Sequence, residues 1–425
     1  MREMKDSGIE WIGQIPTGWK LRRAKTLFTQ RNSKGNGIEV LLSPTQKYGV
    51  VPQSQLEGVV QVKEDADLQM FKTLHKGDFV ISLRSFQGGF EYSLYEGVCS
   101  PAYQVFYPTS PICDTYYRYL FKSQSFISKM NNLTVGIREG KNIQYVDFAN
   151  SQIPVPPLAE QERIAVFLNA ECAEIDAVLE KTRASIEEYK KLKQAVITQA
   201  VTKGIRGDRP MKGSGIEWIG EIPAGIPISR VGLHFDIVLG KMLCSAPVDD
   251  NYTLESYYCA ADVHFEGLSN GEKKKMWFSP DEKEQYCVKN GDLLVVEGGA
   301  GAGGCAIAAS TDVPIYIQNS IMIVRSKGIS NIRYLRYLLE CLVKKGYIDV
   351  VCNKATIPHF TKDKLANVPF IVFSQSEQEE IAEYLNEKCA GIDALIVKKQ
   401  QYLTEIENYK KSLIYEYVTG KKEVV

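Results

Sequence analysis

The sequence has no run of about 18 apolar residues, and its opening letters, MREMKDSG, contain no apolar signal core. Both absences argue against a membrane span and a secretory leader, so we expect a soluble protein of the cytoplasm. The ten cysteines include no C-x-x-C pair, which excludes a zinc knuckle and predicts buried, reduced thiols. The four histidines show no metal-ligand spacing, so we expect no metal site.

Net charge is also missing, because 51 Lys and Arg residues balance 51 Asp and Glu residues. Proteins that bind DNA usually carry a basic excess, since phosphate contacts supply much of their affinity. DNA binding by this chain would therefore need a local basic face or a partner that provides the rest of the grip.

Catalytic signatures are absent as well: there is no Walker A loop, no H-E-x-x-H, no G-x-S-x-G and no Asn/Asp-Pro-Pro-aromatic motif. The segment EGGAGAGG fits G-x-G-x-x-G, but the β-like run CAIAASTDVPIYIQ follows it where a phosphate-binding helix would be needed. A turn close to another backbone explains these glycines better. Asp78 and Asp292 each follow a Gly at a strand start, where turn formation accounts for them. We expect no catalysis from this chain.

What the sequence does contain is a duplication. SGIEWIGQIP begins at Ser7, SGIEWIGEIP begins at Ser214, and the same shift of 207 pairs Trp11 with Trp218. A shift of 217 then aligns EQERIAVFLNAECAEIDAVL with EQEEIAEYLNEKCAGIDALI. The chain therefore reads as body, helix, body, helix, with divergent bodies between similar frames. Because the phrase is shared by both copies, we interpret it as a joint between body and helix, with the chain ends near the end of the second helix.

Helix formers dominate after PVPPLAEQ in the first copy and after IVFSQSEQ in the second, and apolar residues recur every three or four positions. This seam contains Ile175, Leu179, Ile186, Tyr189 and Val196 in the first copy and Ile392, Ile396, Leu403, Ile406 and Leu413 in the second. Lys193 and Lys410 occupy the same step of the two seams, as a register-setting polar layer would. The pattern favours an antiparallel coiled coil over two helices that each pack on their own body.

Each body mixes short strands with one helix. The runs GDFVISL, YQVFYP, GDLLVVE and SIMIVRS predict strands, and DTYYRYLFKSQSFISKM and NIRYLRYLLECLVKKGY each predict a single helix. Residues 204–215, rich in Gly and charge, predict a linker.

Together the phrases GIEWIGQIPTGW, LRSFQGGFE, QIPVPPLAEQERIAVFL, GIEWIGEIPAG, IVFSQSEQEEIAEYL and YKKSLIYEYVTGK resemble the specificity subunit of type I restriction-modification systems, the HsdS family. The resemblance spans essentially the whole chain, and the proline-then-Glu-Gln-Glu entry into each helix is its most specific feature. Two positions depart from the pattern: Trp19 has Ile226 as its counterpart, and the second entry lacks the double proline.

The resemblance implies an α+β protein whose two mixed, β-rich target-recognition domains each read one half of a bipartite DNA sequence. It assigns residues 1–157 and 216–374 to these domains, 158–203 and 375–420 to the spacer helices, and 204–215 to the linker. The helices would bind two methylation subunits, and restriction subunits would complete the complex. S-adenosylmethionine, ATP and Mg²⁺ are expected on those partners, with no cofactor on this chain. Readers on one side of B-DNA need centres about 34 Å apart, a distance that a helix of roughly 25 residues spans.

Loops that combine amide, cationic and aromatic side chains are the candidate DNA contacts, because amides and guanidinium groups pair with base edges. In the first body these are Thr45, Gln46, Lys47, Tyr48, Arg84, Ser85, Gln87, Lys141, Asn142 and Gln144. In the second body they are Lys241, Asp262, His264, Asn353, Lys354, Thr356 and His359, with Lys273 and Lys274 as phosphate contacts.

Two other functions stay open at this point. The chain could be the recognition part of a self-contained DNA methyltransferase, although the missing motifs argue against it. It could also be a coiled-coil scaffold without DNA specificity, which the balanced charge favours.

Overall fold

The computed structural model describes residues 2–35, 40–46, 48–56, 68–82, 89–133, 143–352 and 358–424. The chain divides into two compact units, Met1–Arg183 with Gln400–Val425, and Ala184–Lys399. We call them unit 1 and unit 2. Each unit contains one body and a segment of each long helix. Because the unit boundaries cut both helices, the recognition-domain limits 1–157 and 216–374 stay a prediction.

Unit 1 is built on a four-stranded antiparallel sheet with the order β4-β11-β8-β9, and four antiparallel strand pairs, β1-β2, β3-β12, β5-β6 and β7-β10, surround it. Its strands are β1 Met4–Asp6, β2 Gln14–Pro16, β3 Lys20–Arg23, β4 Phe28–Arg31, β5 Leu42–Thr45, β6 Gly49–Pro52, β7 Lys72–Leu74, β8 Phe79–Ile81, β9 Phe90–Tyr92, β10 Gly97–Cys99, β11 Gln104–Pro108 and β12 Gln152–Val155.

Unit 2 repeats the main sheet of unit 1 as β16-β24-β21-β22 and two of its pairs as β13-β14 and β15-β25. Where unit 1 has β5-β6 and β7-β10, unit 2 has the three-stranded sheet β20-β17-β23 and the hairpin β18-β19. Its strands are β13 Met211–Gly213, β14 Glu221–Pro223, β15 Ile228–Arg230, β16 Phe235–Leu239, β17 Thr253–Tyr258, β18 Val263–His264, β19 Gly267–Leu268, β20 Lys274–Phe278, β21 Leu293–Val296, β22 Cys305–Ile307, β23 Tyr316–Ile317, β24 Ile321–Ser326 and β25 Pro369–Ile371.

The helices are α1 Asp114–Lys122, α2 Gln124–Leu133, α3 Tyr145–Asn150, α4 Leu158–Lys203, α5 Val231–His234, α6 Pro280–Tyr286, α7 Ile332–Lys344, α8 Tyr347–Val351, α9 Lys362–Ala366 and α10 Gln375–Val418. Of the two single body helices predicted from the sequence, the first is wrong, because it is split into α1 and α2, and the second is confirmed as α7. Ser123 is extended and its hydroxyl donates to Leu120 O at 2.7 Å, which ends α1. Gly346 adopts φ 81°, which ends α7 and starts α8.

The predicted strands and long helices are confirmed. The four strand runs become β8, β11, β21 and β24, and α4 and α10 have 46 and 44 residues. Within unit 1, Lys410 of α10 pairs with Asp176 of α4, and Arg183 pairs with Glu407. The residue numbers of the partners increase along α4 as they decrease along α10, so these segments run antiparallel. In unit 2, Lys193 pairs with Asp393, and Lys399 lies 5.6 Å from the Tyr189 ring, which gives the same direction.

The seam predicted for these helices is buried or half-buried along its whole length. Leu179 and Ile186 of α4 and Ile392 and Leu413 of α10 are buried, and the other six seam residues are half-buried. Apolar residues outside the seam, such as Leu192 and Leu395, stay exposed. None of the described helices combines the length and apolar character that crossing a bilayer requires.

Candidate nucleic-acid interface

Strand register places several loops of unit 2 at one end of its main sheet. Leu239 pairs with Met322 and Val296 with Ile321, so the chain leaves β16 and β21 where it enters β24. Segments 240–243, 297–304 and 318–320 therefore lie together, and we call this end of the sheet the loop end of unit 2.

Ser320 ties these loops to one another. Its carbonyl accepts a hydrogen bond from Glu297 N at 2.8 Å, and its hydroxyl accepts one from Ala260 N at 3.1 Å. The same hydroxyl donates to the Gln318 side chain at 2.6 Å, and Asn319 N donates to Lys241 O at 2.8 Å. Four loops are thus held against one another by a single polar network, as a preformed binding surface requires.

Three of the predicted contacts in unit 2 hold the body's own loops instead of pointing outward. Lys241 is only 9% exposed, pairs with Glu282 and lies over the Tyr252 ring. Lys273 donates to Asp262 Oδ1 at 3.1 Å, and Asp262 also accepts from Cys259 N at 3.0 Å. Burial favours a higher pKa for Asp262, but these bonds outweigh it and lower the pKa. In these positions the three side chains stabilise loop structure.

Three other predicted residues of unit 2 are exposed. Lys274 lies on β20, and His264 follows Val263 in the short hairpin, with Nε2 3.0 Å from Ala261 O. His359 is exposed beside the loop end, with Nδ1 3.4 Å from Glu297 Oε2. Their proposed role as DNA contacts stays a prediction.

Unit 1 has a loop end of the same construction. Arg31 pairs with Val105 and Gln104 with Ile81, so the segments after β4 and β8 lie beside the start of β11. The β5–β6 turn lies at the same end. Val50 bridges Ser93 in parallel, so β6 runs in the same direction as β9, and β9 starts where β8 ends. The loop ends of both units are therefore formed by corresponding strands.

The predicted residues of the β5–β6 turn are well placed on this surface. Thr45 Oγ1 donates to Gly49 O at 2.9 Å and accepts from Tyr48 N at 3.0 Å, which fixes the turn. Gln46 and Tyr48 are exposed, Tyr48 by 60%. Gln144 is exposed at the start of α3. The remaining candidates lie outside the described residues: Lys47, Arg84, Ser85, Gln87, Lys141, Asn142, Asn353, Lys354 and Thr356.

Sequence reasoning missed a group of amide side chains at these ends. Gln30 Nε2 donates to Gln104 Oε1 at 2.6 Å in unit 1, and Gln318 stands beside Asn319 in unit 2. All four are half-buried. A signal existed for Gln104, at the start of the predicted strand YQVFYP, and for Gln318 and Asn319, which directly precede SIMIVRS, because polar side chains there lie next to the core; no predicted strand covered Gln30.

The duplicated phrase lies at the joint between body and helix, as predicted. In unit 1, Lys421 Nζ donates to Ile12 O at 2.5 Å, just beyond the end of α10. In unit 2, Ile219 and Ile222 share a core with Ile197 and Val201 near the end of α4. The phrase therefore anchors each body to the helix that ends there, and the C-terminal segment packs beside the first copy.

Tyrosines on the body helices complete both joints. In unit 1, the Tyr116 hydroxyl donates to Val418 O at 2.7 Å. In unit 2, the Tyr334 hydroxyl meets Val201 O at 3.0 Å and Ile371 O at 3.2 Å. Both rings are fully buried. The last turn of each long helix is thus satisfied by a body, which fixes the orientation of that body on its frame.

Thiol and metal chemistry find little support in the described residues. All ten cysteines are free, and burial raises the pKa of the Cys305 thiol to about 12 and that of Cys389 to about 11. High thiol pKa values suppress the nucleophilic thiolate. Within the described ranges, no group of His, Cys, Asp and Glu side chains has the arrangement of a metal site.

Comparison with known proteins finds a family whose model matches most of the chain. Residues 16–188 and 266–405 match the model of the type I restriction modification DNA specificity domain. The MjaVIII specificity subunit of Methanocaldococcus jannaschii is 27% identical over 67% of this chain and 66% of its own length, just under two thirds. The putative MjaX specificity subunit of the same organism is 23% identical, with 97% of this chain and 96% of its own length aligned.

Two solved structures share the fold. One, described as the structural basis of complex assembly and conformational transition of the type I R-M system, superposes with a TM-score of 0.74 at 18% identity over 96% of this chain and 99% of its own. The HsdS subunit from Thermoanaerobacter tengcongensis superposes with a TM-score of 0.55 at 18% identity, covering 96% of this chain and 98% of its own. These likenesses apply to both units and their long helices.

Proposed function

This chain belongs to the type I restriction-modification DNA specificity family, and from that premise we propose that its two bodies each read one half of a bipartite, asymmetric DNA site. The observation that carries the proposal is the contrast between frame and loop end. Buried contacts of the frame recur in both units, whereas the loop ends differ in sequence. Outside the shared strands, unit 1 has the pairs β5-β6 and β7-β10, and unit 2 has the sheet β20-β17-β23 and the hairpin β18-β19. A protein that read one symmetric sequence would have no need for two different loop ends.

The roles proposed for this chain and for its partner subunits follow from the same premise. We infer that this chain recognises DNA without catalysing a reaction, and that its long helices bind two methylation subunits. Restriction subunits would join the full complex, and S-adenosylmethionine, ATP and Mg²⁺ would bind to these partners. The raised pKa values of Cys305 and Cys389 agree with a recognition role, because they leave these two thiols with little nucleophilic thiolate. The site of action would be the cytoplasm, where DNA and partners meet.

Methylation mapping tests the proposal directly. Genomic DNA from cells with and without this chain, each expressing the methylation subunit, should differ at one interrupted sequence whose two halves are unrelated. Replacing residues 20–155 with the corresponding segment of another family member should change one half of that sequence and leave the other half unchanged. A methylome without any interrupted motif that depends on this chain would contradict the proposal.

A second measurement separates the proposal from the methyltransferase alternative. The purified chain alone should not bind S-adenosylmethionine in a calorimetric titration, whereas the complex with the methylation subunit should bind it. Saturable binding by the chain alone would favour a self-contained enzyme. Equal affinity of the complex for random and genomic duplexes would favour the scaffold alternative.

A further inference from the structure

The glycine-rich segment 297–304 is the one sequence motif that the proposed function leaves unexplained. It connects β21 to β22 at the loop end of unit 2. Its backbone pairs with segment 358–360, because Phe360 N donates to Glu297 O at 2.6 Å and Gly299 N donates to Pro358 O at 3.2 Å. Gly298 and His359 face each other across this short antiparallel bridge.

Gly298 is in direct contact with the His359 ring. A Cβ atom at this position would lie 3.2 Å from Nδ1 and 3.5 Å from Cε1 of the imidazole. Even a methyl group would therefore crowd the ring, so glycine gives His359 the room that it uses. Gly301, in the same loop, has open space, since its nearest neighbour would be Val296 Cγ1 at 3.9 Å.

The loop beneath His359 is itself tightly packed. Gly303 has φ 81°, and a Cβ there would lie 2.8 Å from Ile348 Cδ1 and 2.9 Å from Val343 Cγ2. Gly303 N also donates to Val296 O at 2.9 Å, which closes the loop on β21. The glycines thus let the segment pack onto α7 and α8 as a rigid support.

His359 is held from the other side as well. Its carbonyl accepts hydrogen bonds from Lys364 Nζ at 2.6 Å and from Cys352 Sγ at 3.1 Å. The neighbouring Phe360 is fully buried. The backbone is therefore fixed, while the side chain of His359 remains 62% exposed.

Glu297 orients the exposed ring. Its Oε2 lies 3.4 Å from His359 Nδ1, and its own side chain is only 17% exposed. In the tautomer that donates Nδ1–H to this carboxylate, Nε2 is left as an acceptor. The exocyclic amino groups of adenine and cytosine are the matching donors in the major groove.

We propose that His359 is a specificity-determining side chain that contacts a base edge in the half-site read by unit 2, and that Gly298 is the positioning residue that seats its ring. This inference rests on the proposed DNA recognition and adds the residue, the contact and its support. Replacing either residue should loosen recognition at one base pair and leave the other half-site unchanged.

The test uses the full chain in complex with its methylation subunits and a library of duplexes randomised across both half-sites. His359→Ala should reduce discrimination at one position of one half-site by roughly tenfold, the effect of losing one well-placed hydrogen bond. Gly298→Ala should weaken the same position by a smaller factor. Gly301→Ala, the matched control in the same loop, should retain the wild-type preference.

A double variant separates positioning from general structural damage. In the His359→Ala background, Gly298→Ala should cause no further loss at that position, because its effect passes through the ring. A further loss accompanied by a lower melting temperature would overturn the positioning role. His359→Gln, a surface change that keeps a polar side chain, serves if a Gly298 variant fails to fold.

Two failures can be told apart. If the wild-type complex shows no sequence preference, the proposed function fails. If the wild-type complex selects a bipartite sequence and both His359 variants select the same one with equal stringency, only this inference fails.

Discussion

Asp78 and Asp292 occupy corresponding places at the start of β8 and β21, yet the arginine that pairs with each comes from a different strand. In unit 2, Arg325 of the adjacent strand β24 lies directly opposite Asp292, one step beyond the Leu293–Val324 pair. In unit 1, Tyr107 stands at that place, one step beyond the Phe79–Phe106 pair.

In unit 1 the counter-charge of the buried aspartate comes from a more distant strand. Arg31 of the edge strand β4 lies 4.3 Å over the Tyr107 ring and reaches Asp78 with Nε at 2.7 Å and a terminal nitrogen at 3.0 Å. Both aspartates also accept a hydrogen bond from a backbone N–H three residues earlier, which closes the turn. The buried carboxylate has therefore kept its place in both halves, while the origin of its counter-charge has changed.

The joints show the same kind of exchange. Arg2 pairs with Glu160 and lies over Trp19, whereas Arg209 pairs with Glu377 and lies over Phe373. Trp19 corresponds to Ile226, so the aromatic partner moves to another position of the chain. The substitution that departs from the family pattern is thus compensated by a ring placed elsewhere under the same guanidinium group.

Removing either arginine should cause the largest loss of stability. Arg31→Ala and Arg325→Ala should each destabilise their own unit by roughly 2–4 kcal/mol, since each leaves a buried aspartate without its counter-charge. The loss should be larger for Arg325, which also donates to Cys287 O at 2.9 Å. Hydrogen exchange in β8 and β21, respectively, measures the effect.

A matched second change serves as the control. Asp292→Asn in the Arg325→Ala background should recover part of the lost stability, because it removes the unpaired charge. Equal losses at both positions with no recovery would mean that packing of the arginine stem matters more than the ion pair.

The tyrosines at the joints give the next effect in size. Tyr116→Phe leaves the Val418 carbonyl at the end of α10 without its donor, and Tyr334→Phe removes the hydroxyl shared by Val201 O at the end of α4 and Ile371 O of β25. We expect losses of about 1–2 kcal/mol, larger for Tyr334. Exchange should rise in the last turn of α10 for the first variant and of α4 for the second.

Tyr119→Phe is the control for this pair, since its hydroxyl bonds the Asn169 side chain and not a helix end. Faster exchange throughout the unit in Tyr116→Phe, without enrichment at the helix end, would contradict the assignment of this hydroxyl to the joint.

How much of this was readable from the sequence differs between frame and loop end. The duplicated phrase, the seam and the four core strands follow local periodicity, so Trp11, Leu179 and Val295 were placed correctly. The arginine partners of Asp78 and Asp292 were not, because a pairing over 47 or 33 residues leaves no local pattern. Residue type predicts Lys241 and Lys273 as DNA contacts. Type alone does not reveal that a nearby Glu282 or Asp262 already pairs with them.

A buried glutamate should make the stability of unit 1 depend on pH in a way that unit 2 does not share. Glu91 of β9 is almost fully buried, whereas Ala306 faces the corresponding partner strand in unit 2. Burial raises the pKa of Glu91, and Lys122 offsets this only in part. The folded state therefore binds this proton more tightly than the unfolded chain. Stability from this group is present below the ordinary carboxyl range and is lost as pH rises through the raised pKa.

Glu91→Gln should remove this dependence. The free energy of unfolding of the variant should gain on that of the wild type as pH rises from about 4.5 toward neutrality, by an amount of order 1 kcal/mol per pKa unit. Glu96→Gln, an exposed neighbour, should leave the pH profile unchanged. A parallel pair of profiles for wild type and Glu91→Gln would show that this carboxyl does not titrate differently in the folded unit.

The smallest effect tests the symmetry of the helical frame. Lys193 pairs with Asp393 and Lys410 with Asp176, at positions related by the same shift of 217. Because all four groups are partly exposed, Lys193→Ala and Lys410→Ala should each cost about 0.3–1 kcal/mol, decreasing at high salt. Exchanging the charges of one pair, as Lys410→Asp with Asp176→Lys, should restore most of the loss. If the two single losses of stability differ by much more than their errors, the two lysines contribute differently to the stability of the two halves. The duplication would then have diverged in its helices as well as at its loop ends.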